Sequence, residues 1–85
     1  MLNELDVVRL LEPLSFETFD EGTVTIPAGT VGTVLDVYDD GAAYGVDFQL
    51  KEPRFAPDGQ VVDSGLYEYA FPKAEHLELV TPRTA

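Results

Sequence analysis

Apolar and polar positions alternate most regularly over residues 27–50, PAGTVGTVLDVYDDGAAYGVDFQL. The pattern predicts one β-hairpin. Residues 30–38 are rich in β-branched side chains, residues 43–50 alternate apolar with small or polar ones, and Asp40-Gly41 between them is a turn dipeptide. A two-residue type I′ turn centred on Asp40-Gly41 needs positive φ at both positions, which Asp-Gly tolerates, and it sets the register. Val37 then faces Tyr44, Leu35 faces Val46 and Thr33 faces Phe48 on an apolar side. Asp36 faces Gly45 and Val34 faces Asp47 on a charged side, the division a half-buried antiparallel pair requires. Gly32 inside the first arm predicts a bulge or bend. A bulge nearer Asp36 would reverse the faces of that arm.

The flanking segments predict further short strands. Residues 6–11, DVVRLL, read as a strand with Val8 and Leu10 inward and Asp6 and Glu12 outward. A helix over residues 2–11 competes, because Leu2, Leu5, Val8 and Leu11 recur near helical spacing. Pro13 ends the segment early, and so short a helix is marginal alone, so we favour the strand. Residues 1–4 read as a frayed start or a single turn. Residues 13–29 read as a long irregular connection, with a short strand at TVTI (23–26) and with Phe16 and Phe19 tucked under the barrel edge as apolar anchors. The alternative for the two aromatics is an exposed partner patch.

Residues 51–64, KEPRFAPDGQVVDS, read as an inserted loop in which Phe55 and Val61-Val62 pair across a Pro-Asp-Gly turn. LYEYAF (66–71) alternates again, with Tyr67, Tyr69 and Phe71 on one side. A 3₁₀ turn over residues 72–75 and a last strand over 76–80, with Leu77 and Leu79 inward, complete the pattern. Residues 81–85 read as a loose tail. Together these elements predict an all-β fold, a small five-stranded SH3-like barrel with a long first loop and a 3₁₀ turn before the last strand. Its first and last strands pair to close it. At 85 residues the chain is expected to form one domain, 1–85.

Charge alters this picture more than composition does. Sixteen acids stand against five bases, for a net −11. No Lys or Arg occurs between Arg9 and Lys51, whereas Glu12, Glu17, Asp20, Glu21, Asp36, Asp39, Asp40 and Asp47 all do. Such a chain repels phosphate backbones and anionic lipid surfaces, so neither a nucleic acid nor a membrane is the expected partner. The acids fit a solubilising surface, or a field that attracts a basic protein. No apolar run approaches the roughly 20 residues of a membrane span, the start lacks a signal-like pattern, and there is no cysteine, so a cytoplasmic location is expected.

Chemistry-bearing motifs are missing from the pattern. DVYDDG lacks the ligand spacing of a calcium loop, and no metal or cofactor is expected. His76 has no nucleophile beside it, and the glycines at 29 and 32 are followed by no lysine or helix start. No enzymatic activity is expected. The unusual feature is the placement of Asp36 and Asp47 diagonally on one outer face, with Tyr38 beside Asp36 and Asp39-Asp40 at the tip. Like charges so arranged are mildly destabilising, which points to a cationic surface docking there. The predicted partner-binding residues are Asp36, Tyr38, Asp39, Asp40 and Asp47, with Tyr44 as a further apolar contact. Phe16, Phe19, Asp20 and Glu21 form a secondary set. Nothing in the sequence specifies an oligomeric state.

ELDVVRLLEPL, IPAGTVGTVLDVYDDGAAYGVDF and the closing HLELV resemble a family of small bacterial SH3-like domains of unknown function. More distantly they resemble the SH3-like barrels of the nitrile hydratase β subunit and of KOW-type domains. The resemblance covers most of the chain and rests on turn glycines and strand valines. It implies an antitoxin or immunity role, since such domains are encoded beside toxin-like genes. The nitrile-hydratase likeness implies instead an accessory subunit or assembly factor of a metalloenzyme. Residues 51–64 are longer than the family pattern. KOW-type domains bind RNA through basic loops, which this chain lacks. The resulting expectation is a non-enzymatic acidic module that masks a basic surface of a toxin-like protein.

Overall fold

The computed structural model describes residues 2–82. Its described residues form nine strands: β1 (Val7–Leu10), β2 (Leu14–Thr18), β3 (Gly22–Ile26), β4 (Val31–Tyr38), β5 (Ala43–Lys51), β6 (Arg54–Phe55), β7 (Val61–Asp63), β8 (Leu66–Ala70) and β9 (Leu77–Thr81). Five build one antiparallel sheet in the order β8-β5-β4-β1-β9, and β2–β3 and β6–β7 are separate hairpins. The all-β expectation is met. The first and last strands pair as expected, with Leu10 opposite Leu77 and Val8 opposite Leu79. The sheet is nevertheless open, because β8 and β9 end it and do not pair with each other. A 3₁₀ turn precedes β9, at Ala74–His76 rather than two residues earlier. No helix among the described residues is long and apolar enough to cross a membrane.

The central hairpin forms around the expected turn. Asp40 and Gly41 both have positive φ, 55° and 98°, and the Ala42 N–H donates to the Asp39 carbonyl at 3.2 Å. Asp39 also adopts the left-handed region, which a short polar side chain tolerates. Val37 faces Tyr44 and Asp36 faces Gly45, as the turn dictates. Beyond Asp36 the register shifts. Leu35 is an extra residue, so Val34 faces Val46 and Thr33 faces Asp47. Val34 is therefore fully buried and Leu35 is 42% exposed, a reversal of the faces expected from an unbroken ladder. The bulge does not lie at Gly32. That glycine sits in regular pairing with Val8 and Phe48, where a Cβ would come within 2.7 Å of Val46 Cγ1 and 2.9 Å of the Asp47 carbonyl. It serves close packing of the chain rather than a bend.

The core collects the inward residues of every strand of the main sheet: Val8, Leu10, Val34, Tyr44, Val46, Phe48, Ala70 and Leu77, with Ile26 from β3. Tyr44 is thus core, not a partner contact, and its hydroxyl accepts the Leu2 N–H at 3.1 Å. That bond and the partial burial of Leu2 tie down the start of the described chain, so of the two expectations for it, fraying or a single turn, the turn is the one observed. Asp6, expected outward, is only 3% exposed. Its carboxylate turns back to accept the Asn3 N–H at 2.8 Å, closing a turn that also bonds Leu5 N–H to the Val34 carbonyl. Leu79 shares Val8's face, yet remains 46% exposed on the outermost strand. Residues 83–85 of the expected tail lie outside the described residues, and Thr81 belongs to β9.

Residues 13–29 are not irregular. Leu14 and Phe16 pair with Ile26 and Val24 across β2–β3, Ser15 Oγ and Thr25 Oγ1 lie 2.9 Å apart, and Thr18 Oγ1 binds the turn from both ends. In the second hairpin Phe55 faces Val61, as expected. Its base is held by Lys51 Nζ at 2.5 Å from Asp63 Oδ2 and by the Gly65 N–H donating to Asp63 Oδ1. The Lys51 bond, seconded by the Gly65 N–H, holds the Asp63 carboxyl below the usual carboxylate range.

The bulge makes a sharp prediction. Val34→Ala is expected to lower stability in urea by about 2 kcal/mol, and Leu35→Ala to change it by less than about 0.5 kcal/mol. Equal losses at the two positions would contradict the reversed face.

Candidate partner-binding face

Because Leu35 is an extra residue, Asp36 and Tyr38 emerge on the outer side of the sheet while Val34 and Val37 are directed to the core. The neighbouring positions on that side are Gly45 and Asp47 of β5, followed by Tyr67 and Tyr69 of β8, with Tyr69 opposite Asp47 and Tyr67 opposite Gln49. Gly45 explains how three strands share one cluster. Lacking a side chain, it leaves the space that the Tyr69 hydroxyl occupies; a Cβ there would lie 1.9 Å from that oxygen. The hydroxyl donates to Asp36 Oδ2 and lies 3.4 Å from the Tyr38 hydroxyl. Phe71 completes the group, edge-on to Tyr69 at 5.0 Å between ring centroids and tilted to Tyr38 at 6.0 Å. Such offset contacts favour one arrangement of the rings.

The hydrogen bond to Asp36, then the contact with Tyr38, pushes the Tyr69 phenol well above the ordinary tyrosine range. A phenolate there would lose its bond to the carboxylate and gain a neighbouring negative charge. Asp36 accordingly has a role inside the fold. Its carboxylate anchors the aromatic group, which accounts for part of the cost of holding acids on this face.

Of the predicted set, Asp36, Tyr38 and Asp47 share this outer side, and Asp39 and Asp40 stand exposed at the hairpin tip. Among the described residues the ion pairs are Arg9–Glu78 at 2.8 Å and Lys51–Asp63, so none of these acids is paired with a cation of its own chain. The secondary set is divided. Phe16 is half-buried against the core, whereas Phe19 is fully exposed at the β2–β3 tip with Asp20 and Glu21. The expectation that both aromatics tuck under the sheet therefore fails for Phe19, because the tight hairpin places it at the turn. Sequence reasoning missed Tyr69 and Phe71 as members of the face. The usable signal was an outer-side glycine, Gly45, flanked by an acid on one strand and a tyrosine stripe on the other. No three His, Asp or Glu side chains converge as a metal site among the described residues. The chain matches no protein-family model, no curated protein and no solved structure.

Gly45→Ala is expected to displace Tyr69 and cost about 1–3 kcal/mol by overpacking, read by chemical denaturation and by the loss of Tyr69 ring shifts in NMR spectra. The raised Tyr69 pKa gives the sign of a pH effect. Its bond to Asp36 stabilises the fold fully below about pH 10, the unfolded tyrosine value, and is lost as pH rises toward the higher folded value. The stability gap between wild type and Tyr69→Phe should shrink above about pH 10; a gap that widens there would contradict this assignment.

Proposed function

We propose that this chain is a non-enzymatic acidic binding module whose outer β4–β5–β8 face docks on a basic protein surface. The observation that carries the reading is the combination on one face of exposed rings (Tyr38, Tyr69, Phe71) with carboxylates that form no ion pair among the described residues. Aromatic side chains supply contact area, and unpaired acids supply orientation and rapid encounter. Asp39, Asp40 and Asp47 are the charges offered outward, and Asp36 holds the rings in place. Masking of a basic groove on a toxin-like protein, as an antitoxin or immunity partner does, suits this chemistry, since carboxylates there stand in for substrate phosphates. A cytoplasmic setting goes with that role.

An SH3-like barrel is the fold reading that goes with it. The strand order β8-β5-β4-β1-β9, the pairing of first and last strands and the 3₁₀ turn before β9 support it. In that reading β2–β3 is the long first loop, and β6–β7 is an addition to the common pattern.

The test is complex formation with the product of the neighbouring gene, measured by calorimetry over a salt series. Affinity should fall as salt rises. The combined Asp39→Asn, Asp40→Asn and Asp47→Asn variant should bind about tenfold more weakly while keeping its melting temperature. Salt-independent binding, or unchanged affinity in the folded variant, would refute the proposal.

A further inference from the structure

Two strands of this fold each present an unused edge to the same groove. Among the described residues β8 ends the five-stranded sheet, and β2 pairs with β3 alone. Between them lies a groove of about 550 Å³, lined by the whole of β2 and by Glu68, Tyr69, Ala70 and Phe71. Among the described residues no backbone hydrogen bond outside the two ladders involves residues 14–18 or 66–71. The outward row of N–H and C=O groups on β8 thus has no backbone partner across the groove among them. Natural sheets guard such edges with proline, charged side chains or a covering element. LYEYAF and LSFET contain no proline, and the one charge in each, Glu68 and Glu17, repels another acidic chain but not a basic strand.

We infer that this groove takes up an extended, basic segment of a partner protein, which adds to β8 as a further strand. Charge selects the occupant. The charged side chains lining the groove are Glu17 and Glu68, both acidic. Neither belongs to an ion pair among the described residues. Phe16, Tyr69 and Phe71 supply apolar and ring surface beside them. A strand with lysine or arginine alternating with apolar residues meets both features, since successive side chains point to opposite faces. A second copy of the chain fits poorly. Antiparallel self-pairing of β8 about its centre sets Glu68 near Glu68, between molecules that each carry −11. The inference rests on the reading of the chain as a binder of basic proteins, and it adds a second contact with its own backbone chemistry.

The probe is a capped peptide of about seven residues alternating lysine and valine, long enough to span β8. It is titrated into the full chain and followed by amide NMR and hydrogen exchange. Binding should protect amides within residues 66–70. N-methylation of the peptide at alternate positions, in the phase that faces β8, should weaken binding about tenfold or more. Combined Glu17→Lys and Glu68→Lys should do the same, with folding verified by circular dichroism. Glu4→Gln with Glu75→Gln, which removes two exposed acids outside both surfaces, should leave peptide affinity within about twofold. The inference is overturned by no binding, by equal binding of the N-methylated peptide, or by protection of residues 66–70 in the free chain accompanied by dimerisation. Peptide binding lost on Asp39→Asn with Asp40→Asn, without protection of β8, would also overturn it, while leaving the outer-face reading intact. Loss of the neighbouring protein's binding in both the Glu17/Glu68 and the Asp39/Asp40 variants supports the two contacts together.

Discussion

One extra residue, Leu35, governs the arrangement of this molecule. In an unbroken strand Val34 and Asp36 lie on the same side, so the core would have to accept a carboxylate or surrender a valine. The bulge separates them. Val34 goes fully into the core opposite Val46, and Asp36 goes out opposite Gly45. Because side chains alternate with a period of two, a single inserted residue is the smallest change that accomplishes this. The turn at Asp40-Gly41 sets the register on one side of the bulge. The close approach of Gly32 to Val46 and Asp47 fits the register on the other.

From that separation follows the composition of the outer side. Once Asp36 projects outward beside a glycine, the neighbouring strand can send a tyrosine across the gap. Tyr69 does so, and its hydroxyl finds the carboxylate. The rings of Tyr38 and Phe71 then pack around it. The result is an aromatic group held by one polar anchor on a surface otherwise rich in acids. Surface ion pairs contribute only about 0–1 kcal/mol each. The pairs present, Arg9–Glu78 and Lys51–Asp63, lie elsewhere: one joins the strands of the first-to-last pairing and the other clamps the base of the second hairpin.

Local chemistry made part of this legible. The Asp-Gly turn, the inward Val8 and Leu10, and the Phe55–Val61 pairing all follow from neighbours in the sequence and appear as expected. For the bulge the local pattern offers Gly32 first and a position nearer Asp36 as the alternative; the alternative is the one observed, because Gly32 serves close packing between strands of the sheet. Asp6 read as outward because its alternation is correct; its burial depends on a turn that folds Asn3 back over it. The first hairpin was visible in Leu14, Phe16, Val24 and Ile26, but bounding prolines and a charged tip made it resemble a loop. The Tyr69–Asp36 bond joins residues on strands separated by β5, and no local pattern announces a contact of that range.

Tyr69 also belongs to both surfaces proposed for binding. Its hydroxyl is engaged on the outer side of the sheet, and the same residue lines the groove at the β8 edge. An occupant of either surface that requires the ring to turn must act against the bond to Asp36. An occupant that accepts the ring as it stands keeps that bond and finds the other surface already shaped. The anchoring bond therefore sets the sign of any coupling between face and edge: ligands that prefer the same state of the bond reinforce each other, and a ligand that keeps it opposes one that breaks it. By thermodynamic reciprocity the effect of the first on the second equals that of the second on the first. A carboxylate that costs the sheet some repulsion thus holds in one orientation the residue on which both contacts converge.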